Sequence, residues 1–597
     1  FPAYSGIILQ LLYDRGLETQ EKIDEFLNPD YSQDIHDPFL FKDMAKAVEI
    51  IFESIKNQEK ILIYGDYDAD GVTAVVLLEK TLKKIIEMEK NTYFTKQQAG
   101  SRQSLEPTIS VFIPHRETDG YGINETNARE FIKQKFNLVI TVDCGITNLE
   151  PIKILKNAGL KVIITDHHLA AEKLPAADAV LNCSLVAENY PFKKLAGVGV
   201  AFKLAQALLH KSTKNTKTQK ISINNHEAFE KWLLDLVAIG TIGDMSPILG
   251  ENRTLVKYGL MVLNKTPRLG FQELIRVSSL SNGEELKDLP LGSVLYDLDV
   301  RNISFQLVPR INAAGRMDHA NIAYKLLTTE NELDAIALAR DIQEKNLARQ
   351  KKAEEMFLAA KEIFGAVNDQ QKILITFKED WPVGLLGLVA SKLKDEYCRP
   401  VILLTKSGET MSGSGRSIPE FNITLALQEC AEFLDRYGGH SGACGLGIKG
   451  EENYQKFIKK ITALAEEKLK DVALIPTLEI DLEANLKDLD RPLLDELKAF
   501  EPFAEANPLP LFWVKNLRVE KKETVGKDAK HLRFYFSENG LTRKAISFGT
   551  ASEWGSQIKV GDIIDAVVEL GVNEWNGNRE LQLKVVDLKH ANNDPNL

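Results

Sequence analysis

The sequence predicts an α/β protein in four parts: a parallel-sheet unit, a long connecting helix, a second α/β unit and a C-terminal β-barrel. Three observations predict this order. Short β-rich runs alternate with helix-like stretches over the first third of the chain, the pattern of a parallel sheet covered by helices. Residues 334–364, DAIALARDIQEKNLARQKKAEEMFLAAKEIF, run without Gly or Pro and carry charges of both signs, as a helix joining two globular units does. Beyond residue 510 the chain becomes a series of short alternating strands separated by turn residues, which suggests a small barrel.

The bulk numbers leave room for this order. The chain has 597 residues with 44% hydrophobic and 27% charged side chains, enough for roughly three to five ordinary domains. No apolar run approaches the ~20 residues of a membrane helix, so no membrane partner is expected. Five cysteines are scattered without a C-x-x-C pair, which points to a reducing, cytoplasmic setting without disulfides or a zinc knuckle. The net charge of -11 argues against a generic nucleic-acid coat but leaves room for a locally basic groove. The chain starts at Phe1 rather than Met, which reads as trimming or processing.

In order along the chain, strands are expected at KILIYG, TISVFIP, FNLVITVD, LKVIITD and DAVLN, with helices over 73–88, 125–134 and 147–158. Residues 91–108 and 210–227 read as polar surface segments, and 228–265 as mostly helical. The second unit starts with ILITF, a helix over 385–396 and VILLT; it becomes Gly-rich towards residue 448, and a mostly helical bridge follows to about residue 500. The expected boundaries are 1–45 for a lead segment, 46–330 for the first unit, 331–365 for the helix, 366–465 for the second unit and 466–597 for the barrel region. Asn-Gly pairs at 539–540 and 576–577 mark hairpin turns.

The chemistry begins at GDYDADG, residues 65–71, where Asp66, Asp68 and Asp70 follow an apolar strand. Ligands in open α/β sheets bind outside the carboxyl ends of the strands. VITVDCG puts Asp143 at another strand end, VIITDHH puts Asp166, His167 and His168 at a third, and AIGTIGDMSP sets Asp244 on a Gly-flanked turn. Singly, each has an ordinary explanation: Asp143 as a helix N-cap, Asp244 as a turn residue, the histidines as capping or surface groups. One cap needs one Asp, however, and GDYDADG supplies three. Together the strand ends bring carboxylates and two imidazoles to one edge, a cluster that repels itself unless cations neutralise it. A carboxylate-dominated set with imidazole and no thiolate suits manganese or magnesium rather than structural zinc. Two ions about 3.5–4 Å apart, bridged by one carboxylate, would make a hydrolase site.

This ordered set of motifs resembles the DHH phosphoesterase superfamily. RYGGHSGACGLGI resembles the Gly-Gly-His signature of the DHH-associated domain. FQLVPRINAAGRMDHA, ENRTLVKYGL, IPHRETDGYGIN and LLYDRGLETQEKIDEFLNP resemble one branch, the RecJ single-strand-specific exonucleases, across nearly the whole chain. The resemblance implies metal ligands drawn from Asp66, Asp68, Asp70, Asp143, His167 and Asp244, with Asp143 as the bridge and two Mn2+ or Mg2+ ions. The catalytic set it implies is Asp68, Asp70, Asp143, Asp166, His167, His168 and Asp244, with His168 on the scissile phosphate. Two departures stand out. Tyr64 occupies the place where the superfamily often has a His, so one ion is expected to be held more weakly, with Asp66 compensating. Pro382 and Val383 follow Trp381 where RecJ proteins often have a His.

MSGSGRSIP, read as a Gly-rich loop, offers Ser412, Ser414 and Arg416, and Gly438, Gly439 and His440 add backbone N–H groups and an imidazole. Exposed amides beside an Arg make an anion cradle, although the same residues also suit a tight turn. With the resemblance, they imply a pocket for the DNA backbone or its 5′ phosphate. Arg310, Asn312 and Arg316 are expected to line a channel. Arg116 and Tyr121 are expected to grip phosphate and stack on a base, against the alternative of a core tyrosine. The tail resembles the oligonucleotide-binding (OB) fold that RecJ proteins carry. There Phe534, Tyr535, Phe536, Trp554 and Trp575 supply aromatics, at least half of them expected in the core, and Lys521, Lys522, Lys527, Lys530 and Arg533 supply charge.

The implied activity is 5′→3′ degradation of single-stranded DNA to 5′ mononucleotides in DNA repair and recombination. The competing readings are a DHH-type nanoRNase or cyclic-dinucleotide phosphodiesterase, and a degenerate replication scaffold. The first has no use for the barrel and long helix; the second predicts broken acidic motifs, and all are intact. The resemblance also implies a monomer that meets a single-strand-binding protein, a RecQ-type helicase and mismatch-repair proteins.

Overall fold

The computed structural model describes residues 4–89, 107–215, 219–279, 297–526, 528–575 and 578–591. The chain divides into two compact units: residues 37–246 with 259–476, and residues 1–36 with 247–258 and 477–597.

In the first of these, β1 (Lys60–Tyr64), β2 (Thr108–Phe112), β3 (Leu138–Val142), β4 (Lys161–Asp166) and β5 (Ala179–Asn182) form a sheet in the order β2-β1-β3-β4-β5. All its pairings are parallel. The side-chain period of two divides β1, β3 and β4 between two buried faces. Leu62, Tyr64, Val139, Val162 and Ile164 pack with Phe131, Ile152 and Leu155 on one face, under helices Glu125–Lys133 and Leu149–Asn157. Helices Ala69–Glu89 and Gly197–Asn215 pack on each other and on strands of the sheet. Helix Leu234–Gly243 is buried from Leu234 through Ile242, so it needs apolar residues on every side rather than along one stripe. Tyr64 pairs with Thr141, and Val142 with Thr165. β1, β3 and β4 therefore end level, and the acidic residues after them share one edge.

The segment 91–108 lies outside the described residues up to 106. Residues 210–227 are more helical than their polarity suggests, since helices Gly197–Asn215 and Gln219–Trp232 take up most of them. The long helix spans Glu332–Phe364; Asn331 caps it by accepting the Asp334 N–H at 3.1 Å, and Gly365, at φ 60°, ends it.

The second sheet of this unit contains β6 (Leu374–Phe377), β7 (Val401–Ser407), β8 (Thr410–Arg416), β9 (Arg436–His440) and β10 (Ala443–Lys449), ordered β6-β7-β8-β10-β9. β6 and β7 are parallel and the other pairings antiparallel. MSGSGRS is thus a strand, not a loop. A Cβ at Gly413 would press on Leu404 and Leu446, and one at Gly415 on Cys444 and Ile423. The glycines fill the core face closely, while Ser412, Ser414 and Arg416 take the other face. The expected helical bridge also differs. Helix Glu451–Lys468 folds back so that Phe457, Ile461 and Ala465 join the core of this sheet, and the chain from 470 to 481 is not helical.

In the other unit, β12 (Phe512–Val525), β13 (His531–Glu538), β14 (Leu541–Ser547), β15 (Ile563–Trp575) and β16 (Asn578–His590) run in the order β12-β13-β14-β16-β15. A pairing of β12 with β15 closes the barrel, and β11 (Leu482–Glu483) adds a short strand to β12. Asn539 and Gly540, both at positive φ, form the two-residue turn between β13 and β14; the second Asn-Gly lies outside the described residues. Phe534, Phe536 and Trp554 are core residues, whereas Tyr535 is half-buried. Several of the barrel cations are already engaged: Lys521 and Arg533 with Glu523, Lys530 with Asp528, and Lys522 with the Gly555 and Ile558 carbonyls. Lys527 and the Trp575 side chain lie outside the described residues. Ile8, Leu11, Ile23 and Phe26 of the N-terminal helices share the barrel core with Leu493, Leu497 and Phe500. Residues 1–36 belong to this unit.

Candidate active site

The Asp66–Asp70 turn is built around close backbone approach. A Cβ at Gly71 would lie 2.6 Å from the Asp66 carbonyl oxygen, so only glycine lets the loop fold onto the start of helix Ala69–Glu89. Asp68 Oδ1 accepts the Asp70 and Gly71 N–H groups at 3.0 and 3.1 Å, as an N-cap does. Asp70 is buried and accepts the N–H groups of Gly197 (2.7 Å) and Val198 (2.8 Å) at the N-terminus of the next long helix. Asp66 is buried with Oδ1 unpaired.

Asp143 follows β3 with φ 59°, a left-handed conformation uncommon for a residue with a side chain. It is buried with Oδ1 unpaired, and a Cβ on Gly197 would sit 2.4 Å from that atom. His167 Nε2 lies 3.2 Å from Asp143 Oδ1, 3.8 Å from Asp244 Oδ1 and 4.0 Å from Asp70 Oδ2, and has no hydrogen-bond partner. Asp244 is oriented by Ser246, whose hydroxyl donates to it at 2.6 Å. Asp166 is saturated: it accepts the Ile146, His167 and His168 N–H groups and meets His168 Nδ1 at 2.8 Å. It therefore orients His168. Potential ligand atoms fall into three overlapping groups, each within 4.8 Å: Asp66, Asp68 and Asp143; Asp70, His167 and Asp244; Asp143, His167 and His168.

Electrostatics show the strain of this packing. Burial, then the Asp68 charge, pushes Asp66 up to about 8. Burial and neighbouring carboxylates hold Asp70 and Asp143 well above the usual range, and burial raises Asp244. Burial lowers His167 and keeps a neutral imidazole available as a ligand. Burial also opposes protonation of His168, but the bond to Asp166 and nearby carboxylate charge prevail and push it up to about 9. The buried, carboxylate-rich donor set with its three unpaired polar atoms fits divalent cations.

The predicted phosphate residues divide. Arg116 lies over the Tyr67 ring at 4.1 Å with Nε buried and unpaired. Arg316 donates to the Gly384 carbonyl at 2.9 Å; burial and its neighbours Arg116, Arg349 and Arg416 lower it to about 9, against the opposing charge of Asp68. Arg416 donates to Ser414 and to the Gly415 carbonyl. These arginines gather beside the acidic cluster. Helix Val383–Tyr397 starts here without a side-chain cap, and Pro382 and Val383 line the same cleft as Arg116 and Ser414. Gly438, Gly439 and His440 form part of β9, an exposed edge strand.

Two placements correct the sequence reading. Arg310 does not line a channel: it is buried and donates to Gln343 and the Gln306 carbonyl, bracing one helix against another. Asn312 accepts the Ala69 N–H at 2.7 Å and so holds the Asp66–Asp70 loop. Tyr121 is not in the core: it is 41% exposed, and its hydroxyl meets His168 Nδ1 at 2.9 Å and donates to the Asp143 carbonyl at 3.2 Å. Tyr64 is a core residue donating to the Gly122 carbonyl at 2.7 Å. Sequence reasoning missed Gly197 and Val198, whose amides hold Asp70; the one available signal was a Gly-rich helix start at GVGV. It also missed Tyr67 under Arg116, and Arg436 at the cleft.

Comparison with known proteins gives three family matches: the DHH family N-terminal domain over residues 60–241, the DHHA1 domain over 370–467 and the RecJ OB domain over 480–587. The single-stranded-DNA-specific exonuclease RecJ of Bacillus subtilis is 35% identical over 97% of this chain and 67% of its own length. That of Haemophilus influenzae is 30% identical over 91% of this chain and 90% of its own. The chain belongs to the RecJ family. RecJ of Thermus thermophilus, solved in complex with Mn2+, matches the fold with a TM-score of 0.76 at 25% identity, over 98% of this chain and 76% of that one. A second RecJ, solved bound to manganese, matches with a TM-score of 0.57 at 28% identity, over 74% of this chain and 99% of that one. The family accounts for the order of parts: DHH sheet, DHHA1 sheet and OB barrel. This RecJ-family chain is a metal-dependent single-stranded-DNA exonuclease.

Proposed function

We propose that the chain hydrolyses single-stranded DNA from the 5′ end to 5′ mononucleotides, in DNA repair and recombination. The observation that carries this is the set of three buried, unpaired atoms, Asp66 Oδ1, Asp143 Oδ1 and His167 Nε2, directly beside the Arg116, Arg316 and Arg416 cluster. Asp66, Asp68 and Asp143 would hold one Mn2+ or Mg2+ ion, Asp70, His167 and Asp244 a second, with Asp143 shared. Such ions supply Lewis-acid activation of the attacking water and neutralise charge on the scissile phosphate and leaving oxygen. Asp166 aims His168 and keeps it protonated, so that it donates a charge-assisted hydrogen bond to the phosphate. Tyr121 buttresses His168. Arg116 and Arg316 hold the phosphate being cut, and Ser414, Arg416 and the Gly438–Gly439–His440 edge take the 5′ phosphate. Asn312 sets the loop that presents Asp68.

The division proposed is a catalytic unit over 46–330, the helix over 331–365, the DHH-associated unit over 366–465 and the nucleic-acid-binding barrel over 466–597. No helix among the described residues is long and apolar enough to cross a membrane, and we place the protein in the cytoplasm as a monomer. A single-strand-binding protein, a RecQ-type helicase and mismatch-repair proteins are the proposed partners.

The test is digestion in manganese of single-stranded DNA labelled at either end, with duplex DNA and single-stranded RNA alongside. Early release of the 5′ label as a mononucleotide, with the duplex intact, is expected. Consumption of di- to tetranucleotides alone would instead establish the short-oligomer phosphodiesterase reading.

A further inference from the structure

The strand register of the second sheet sets three cross-strand rows on the face that carries Ser414 and Arg416: Arg416–Ala443–His440, Ser414–Gly445–Gly438 and Ser412–Gly447–Arg436. Arg436 lies across Gly447, where a Cβ would come within 2.9 Å of its Cγ, and donates to the Ser412 hydroxyl at 3.1 Å. A comparable arginine–serine pair spans the first two rows, where Arg416 donates to the Ser414 hydroxyl at 3.3 Å. Between the two arginines, Gly445 and Gly438 leave open space, with no heavy atom within 4 Å of where a Cβ would stand. Rows two residues apart on a strand are about 6.6 Å apart, on the scale of the step between successive phosphates of an extended nucleotide chain. Ser412, Ser414 and Arg436 line one cleft of about 960 Å³ that also reaches Arg116. The carboxylates lining that cleft beside β6, Glu379 and Asp380, face Lys406 and Lys378 at 3.7 and 3.9 Å. Among the described residues none forms an ion pair with Arg436.

We propose that Arg436 and Ser412 form a second phosphate subsite, which takes the phosphate upstream of the one held by Ser414 and Arg416. The direction follows from the rows. Arg416 neighbours Arg116 and Arg316 at the acidic cluster, and the row of Arg436 is the far one. The ligand is a second phosphate in line with the first, either from a 5′-polyphosphate end or from one additional 5′ nucleotide. The inference rests on the exonuclease reading above.

The experiment measures competition against hydrolysis of 5′-monophosphorylated single-stranded DNA, at fixed free manganese. The competitors are dTMP, dTTP and the 5′-phosphorylated dinucleotide pdTpdT, on the full chain and on Arg436→Gln. In the unsubstituted protein at least one two-phosphate competitor is expected to inhibit about tenfold more tightly than dTMP, the scale of one charge-assisted contact. Arg436→Gln is expected to erase that preference while kcat and dTMP inhibition stay within about twofold. The competitor that loses its advantage identifies the source of the phosphate. The proposal is overturned if neither two-phosphate competitor is preferred, or if Arg436→Gln weakens dTMP in parallel. Absence of hydrolysis by the unsubstituted protein is a separate result; it removes the exonuclease reading and this subsite with it.

Discussion

Metal-free protein should lose stability as pH rises, and manganese should remove that loss. The cause is the buried acidic cluster. Asp66 is pushed from 3.8 up to about 8, and Asp70, Asp143 and Asp244 move in the same direction. A carboxyl that binds its proton more tightly when folded keeps it in the native state after the unfolded chain has released it. Native protons then exceed unfolded protons, and the slope of unfolding free energy against pH is negative from about pH 4 to pH 8. His168, raised to about 9, adds to the loss above its ordinary value, while His167, lowered, opposes it. At about 1.4 kcal/mol per pKa unit, the Asp66 displacement alone has an upper limit of about 6 kcal/mol, because ionising one member changes the load on the others. Thermal unfolding after chelation should show a midpoint several degrees lower at about pH 8 than at pH 5, at about 2–4 °C per kcal/mol. Millimolar Mn2+ should raise the midpoint more at the higher pH, since metal and protons compete for the same oxygens. A metal-free midpoint that is flat or rises over this range, or a manganese shift equal at both pH values, would refute the reasoning.

Other substitutions separate chemistry from folding. Asp68→Asn keeps the helix cap but lowers the charge, and should cut kcat/KM more than about a hundredfold with little change in melting; Asp68→Ala should lose about 1 kcal/mol of stability as well. Gly197→Ala, whose methyl group would land 2.4 Å from Asp143 Oδ1, should weaken Mn2+ binding by at least about tenfold in calorimetric titration. Asn312→Ala should lower kcat about tenfold or more without raising KM, because the Ala69 N–H it accepts sets the ligand loop. Arg253→Met should destabilise the barrel unit by roughly 2–4 kcal/mol in denaturant titration, because Arg253 is buried and donates to the Phe26, Ala499, Glu501 and Pro502 carbonyls.

The strands and the acidic edge were legible because their signals are local. Apolar runs of strand length end in Asp at three places, and a parallel sheet brings such ends together. What failed involved partners distant in sequence. MSGSGRS looks like a loop by its glycines, and only the neighbours Leu404, Leu446, Cys444 and Ile423 show why a strand needs them. Arg310 and Arg316 sit in one motif with the same local chemistry, yet Gln343 draws one inward while the Gly384 carbonyl receives the other beside the acidic cluster. Residues 1–36 carry no mark of the barrel they pack with, since their apolar spacing is that of any amphipathic helix.

Taking the charges of the site one by one shows why protein groups cannot complete it. Backbone amides satisfy Asp70, cap through Asp68 and, with the His168 ring, saturate Asp166. Each of these backbone donors comes from a helix start or a turn, where N–H groups are free to point at an anion. No such donor reaches Asp66 Oδ1 or Asp143 Oδ1, and His167 Nε2 faces carboxylate oxygens without a hydrogen-bond partner. Adding a protein cation there would block the edge that substrate must approach, so the arginines stand to one side. The unmatched atoms belong to three ligand groups that are linked through Asp143 and His167. Two small divalent cations sharing the Asp143 carboxylate, as proposed above, would satisfy all three atoms at once and leave the phosphate-facing side open to the arginines.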